Sequence, residues 1–84
     1  KSNLDHFLNE LKELNPKIND IAIEYKLSKT EYRLLVFIKS GLNNYDIAEL
    51  LSVSTNTVYV QRQRLKTKLK LGTTKALNEF IKKI

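Results

Sequence analysis

Apolar residues recur along this chain at helical spacing and nowhere alternate over a strand's length, so the pattern predicts helices only. Leu4, Phe7, Leu8, Leu11 and Leu14 form one stripe, which places an amphipathic helix over 3–14. Asn15-Pro16 breaks it, because Asn can cap and Pro suits the first turn of a new helix. Ile18, Ile21, Ala22 and Tyr25 make the next stripe, ending near Lys26. Leucine-rich stripes of this kind face a core more often than a missing neighbour.

Ser28-Lys29-Thr30-Glu31 has the spacing of a capping box. The helix it opens carries Leu34, Leu35, Phe37 and Ile38, and Gly41 follows where a left-handed helix end is expected. Asn43, with Asp46 three residues on, signals another start. A short helix over 44–51 would turn Ile47, Ala48, Leu50 and Leu51 inward. Ser52-Val53-Ser54 reads as a tight turn, with Val53 an apolar plug and Ser54 the cap of a helix over 55–70. Gly72 would end that helix and Thr73 or Thr74 cap the last one, striped by Ala76, Leu77, Phe80, Ile81 and Ile84. The fold class is therefore all-α: a small helical bundle with a helix-turn-helix, in which one or two N-terminal helices precede a four-helix core. Two of these helices, over 3–26, precede the capping box at Ser28.

Composition narrows the chemistry. At 84 residues the chain is one domain. It has no cysteine and one histidine, His6, which excludes disulfides, thiolate metal sites and histidine clusters; no metal or cofactor is expected. Catalysis needs a nucleophile, a base and an orienting group converging in a pocket, and the carboxylates here are scattered along helix faces, so no enzyme is expected. No long apolar run exists, which argues against membrane insertion by this segment. The chain lacks Met and begins at Lys1, which suggests a piece of a longer protein, most simply its C-terminal end.

Charge is distributed unevenly. Residues 1–54 hold seven bases and eight acids, whereas 55–84 hold eight bases and only Glu79 as an acid. A polyanion would meet the C-terminal third. On a helical wheel for 55–70, Val58, Leu65 and Leu69 share a narrow inward arc. Asn56, Tyr59, Val60, Gln63, Lys66, Thr67 and Lys70 lie on the far side. That side mixes an amide, an aromatic and an apolar residue with cations, which suits base readout: Gln pairs with adenine and an apolar group touches the thymine methyl. Asn56, Tyr59, Val60 and Gln63 are the candidates at bases. Lys66 and Lys70 are placed further along, at phosphate, with Arg64 beside them. Asn43, Thr55 and Thr57 sit at helix starts, where backbone N–H groups can also hold phosphate. Arg62 and Arg64 flank this face and can pair with an acid such as Glu31 or Asp46 or contact backbone phosphate; Arg62 lies nearer the core arc and reads as structural.

With these motifs, residues 27–84 resemble the LuxR/GerE/FixJ-type C-terminal helix-turn-helix DNA-binding domain, which leaves 1–26 as a leader. Its opening Leu-Thr-x-x-Glu corresponds to Leu27-Ser28-Lys29-Thr30-Glu31. Its Gly-x-Ser-Asn-Lys-Glu-Ile-Ala segment corresponds to Gly41-Leu42-Asn43-Asn44-Tyr45-Asp46-Ile47-Ala48. Its Leu-x-Ile-Ser-x-x-Thr-Val corresponds to Leu51 through Val58, and the downstream Lys-Leu to Lys68-Leu69. Residues 1–26 look like the leader before this domain in large regulators of the Bacteroidetes group. The resemblance implies a four-helix domain whose third helix enters the major groove, with Tyr59, Val60 and Gln63 at bases. It also implies a cytoplasmic bacterial transcription regulator of the one- or two-component kind, with double-stranded DNA and RNA polymerase as partners. Homodimerisation through the last helix, by Leu77, Phe80, Ile81 and Ile84, is implied as well. Tyr45 departs from the family's usual Lys or Glu-type residue and removes one phosphate contact; Tyr59 departs from a frequent Lys and changes the groove chemistry. The competing reading is a protein-interaction module that keeps the helix-turn-helix shape and works through Phe80, Ile81 and Ile84 or through Phe7 and Leu11.

Overall fold

A computed structural model describes residues 2–84, with side chains from Leu4 onward. Among the described residues six helices follow in order: α1 (Ser2–Leu14), α2 (Lys17–Glu24), α3 (Lys29–Lys39), α4 (Asn44–Leu51), α5 (Thr55–Lys68) and α6 (Thr74–Lys83). No strand is present among the described residues.

Helix α3 is the axle. Four consecutive residues, Leu34, Leu35, Val36 and Phe37, are fully buried. Four successive positions point around the whole circumference of a helix, so α3 must be covered on every side. It is covered by α1, α2, α5 and α6, while α4 packs on α5. Val36 belongs to no simple stripe, which is why the spacing rule passes over it.

The leader helices are part of this core. Leu8 and Ile18 are buried in the same cluster as Phe37 and Leu65. The Phe7 ring stacks on Phe37 at 6.1 Å, and the Tyr25 ring meets Phe80 edge-on at 6.5 Å. Tyr32 on α3 donates to Asn19 Oδ1 on α2 at 2.8 Å, and the Lys12 ammonium lies over the Tyr32 ring.

Helix ends follow local chemistry. The capping box forms in both directions: Ser28 N–H donates to Glu31 Oε1 at 2.8 Å, and Glu31 N–H to Ser28 Oγ at 3.2 Å. Asn43, Ser54 and Thr73 each accept an N–H from three residues on. Gly41, with φ of +91°, ends α3 as expected.

Several expectations change. Asn15 does not cap α2; its Nδ2 donates back to Leu11 O at 3.0 Å and closes α1 instead. Leu14 is 75% exposed, because the chain turns out of α1 there. Leu50 faces outward and Val53 is exposed rather than a plug, since α4 offers only Ile47, Ala48 and part of Leu51 to the core. Helix α5 stops at Lys68, and Lys70, with φ of 61°, takes the left-handed position that Gly72 was expected to supply. Leu71 N–H then reaches Lys66 O at 2.9 Å, completing a Schellman-type closure.

Candidate nucleic-acid interface

The helix-turn-helix is α4, the turn 52–54 and α5. Ser52 adopts a left-handed conformation (φ 58°), which lets Val53 N–H return to Ala48 O at 3.0 Å. That bond fixes the angle at which α5 leaves the turn. Ser54 then caps α5 by accepting Thr57 N–H at 3.1 Å.

Val58 and Leu65 are fully buried and Leu69 nearly so, as the wheel requires. The opposite side is open: Tyr59 is 54% exposed and Val60 39% exposed. Asn56 and Thr55 are exposed on the first turn, while Gln63 and Lys66 are half-buried. Tyr59 and Gln63 face a cleft of about 650 Å³ walled by α4, α5 and the start of α6. Val60 faces the other way, into a shallower groove with Gln63, Arg64 and Thr67. Gln63 therefore forms the ridge between the two depressions.

The phosphate candidates divide. Lys66 faces the cleft and Arg64 the outer groove. The N–H of Thr57 is spent on Ser54, and its hydroxyl lies 3.0 Å from Ser54 Oγ, so Thr57 offers no free backbone donor. Asn43 uses its side-chain oxygen to accept Asp46 N–H at 2.9 Å. Lys70 lies beyond the end of α5, off the helical face that the wheel assigned to it. Lys68 is held by Glu31 at 3.6 Å, an ion pair that ties the end of α5 to the start of α3.

Two further corrections concern α6 and Arg62. Leu77 and Ile81, expected at a dimer surface, are 1% and 3% exposed and packed within the chain's own core, so they leave almost no surface for a partner in this fold. Phe80 and Ile84 are half-buried against the same core. Arg62 pairs with neither Glu31 nor Asp46; its Nη2 donates to Asn78 Oδ1 on α6 at 3.3 Å. Burial holds its guanidinium below the ordinary arginine range. The cleft and Arg62's place in it were beyond sequence reasoning, because α6 supplies one wall from far along the chain.

No group of three or more potential metal ligands occurs among the described residues, and no described helix is long and apolar enough to cross a membrane. Residues 25–78 match the family model GerE, described as bacterial regulatory proteins, luxR family. No curated protein and no solved structure matches the chain. The chain belongs to the luxR family of bacterial regulatory proteins, whose helix-turn-helix domains bind DNA in transcription regulation.

Proposed function

We propose that this luxR-family chain binds double-stranded DNA sequence-specifically, as the output domain of a bacterial transcription regulator working in the cytoplasm. Helix α5 enters the major groove with Asn56, Tyr59, Val60 and Gln63 toward base edges. Thr55, Arg64, Lys66 and Lys70 meet the phosphates that flank the groove, and Asn43 stands at the mouth of the cleft beside them. Catalysis has no part in this reading.

The observation that carries it is the division of α5. Its Val58/Leu65/Leu69 seam is buried, while Tyr59 and Val60 stand in solvent on a helix with no acid in it. An exposed aromatic on one side of Gln63, with Lys66, and an exposed β-branched residue on the other, with Arg64, make a helix face able to combine apolar contact with thymine and hydrogen bonds to bases.

Selection of bound sequences from a random duplex pool tests this reading. A recurring sequence motif supports it, and recovery of unselected sequence contradicts it. A dimer on two-fold sites would have to use a surface other than Leu77 and Ile81.

A further inference from the structure

We infer that Arg62 anchors a DNA backbone phosphate inside the cleft between α4, α5 and α6. This rests on the DNA-binding reading above and adds a contact that lies off the outward face of α5. The cleft wall is largely apolar, with Leu42 and Leu77 in it, and two cations are set into that wall. Arg62 and Lys66 line it together with Tyr45, Thr55, Tyr59 and Thr74. No carboxylate lines it. Among the described residues, the carboxylates that pair with a basic side chain are Glu10, with His6, and Glu31, with Lys68.

Arg62 is thus a guanidinium half withdrawn from water with no counter-charge. Among the described residues its one hydrogen-bond partner is the neutral oxygen of Asn78 at 3.3 Å, which leaves most of its five donors free. Withdrawing a charge from water without pairing it is costly, and a phosphate recovers that cost through bidentate, charge-assisted hydrogen bonds. The cleft also sits where a phosphate would pass. Tyr59 and Gln63, assigned to bases, form part of its wall, so a helix lying in the groove brings the adjacent strand's backbone against it. Asn78 holds the guanidinium toward α6 and is a positioning residue.

Duplex titrations of the unaltered chain, R62Q and N78A across a salt series test this. Arg62→Gln is expected to weaken binding about tenfold on every duplex alike, and to make the log K against log salt slope shallower by about one unit. Asn78→Ala removes the hydrogen bond and keeps the charge, so its slope is expected to stay with that of the unaltered chain. A duplex carrying one neutral methylphosphonate, moved along the backbone, is expected to show one position whose neutralisation hurts the unaltered chain but not R62Q. An unchanged slope in R62Q, beside intact binding by the unaltered chain, overturns the inference alone. Parallel losses in R62Q and N78A that track a fall in melting temperature also overturn it, in favour of a structural Arg62. Thermal stabilisation by millimolar inorganic phosphate, with R62Q duplex affinity intact, overturns it in favour of a free anion. Absence of duplex binding by the unaltered chain overturns both this inference and the reading it rests on.

Discussion

The Tyr25 ring meets the Phe80 ring edge-on, with centroids 6.5 Å apart and planes at 88°, and so joins the end of α2 to the middle of α6. The contact places the leader against the helix that the family resemblance assigns to dimerisation. With Leu8, Ile18 and the Phe7–Phe37 stack, it makes the leader part of the core rather than an appendage.

Truncation to residues 27–84 is therefore expected to uncover Phe37, Phe80 and neighbouring apolar surface. The fragment should melt earlier and less cooperatively than the whole chain, and should self-associate. Thermal unfolding with light scattering checks this; a fragment as stable and as monomeric as the whole chain would show that the leader contributes nothing to the core.

Leu77→Ala is expected to cost about 2–4 kcal/mol of folding stability, because it removes the packing of a side chain that is 1% exposed. The loss should be independent of protein concentration. A concentration-dependent melting curve in the unaltered chain that Leu77→Ala abolishes would instead place Leu77 in an interface.

Lys70 separates stability from binding. A non-glycine residue in the left-handed region is strained, so Lys70→Gly is expected to raise stability by about 0.5–1 kcal/mol. Loss of the ammonium should at the same time weaken duplex binding and reduce its salt dependence. Paired denaturant and titration curves check both directions; binding unchanged by the substitution would remove Lys70 from the phosphate contacts.

Gln63→Ala and Lys66→Ala should differ in kind. Removing the amide is expected to relax preference at one base position, at about 1–3 kcal/mol of discrimination. Removing the ammonium should weaken all duplexes alike and flatten the salt slope. Competition between the preferred sequence and single-base variants tells these apart.

What could be read from the sequence was local. The capping box at Ser28 and Glu31, the caps at Asn43 and Ser54, and the limits of α4 depend on residues three or four apart, and all of them form. The inward seam Val58/Leu65/Leu69 was equally legible, because one period governs it. What escaped depends on which other helix arrives. Val36 is buried because α3 is surrounded, Leu50 is exposed because nothing covers that side of α4, and Leu14 is exposed because α1 ends there. The partner of Arg62 escaped for the same reason: Asn78 comes from α6, sixteen positions away. Lys70 replaced Gly72 as the left-handed residue because α5 closes two residues earlier than its polar pattern suggests.

The most direct measurement sets the unaltered chain against a Y59A/V60A/Q63A variant on a selected duplex and on its shuffled counterpart, at several salt concentrations. The unaltered chain is expected to prefer the selected duplex, and the variant to keep its fold and salt-dependent binding but to treat both duplexes alike. A folded variant that retains the full preference would show that some surface other than the outward side of α5 reads the bases.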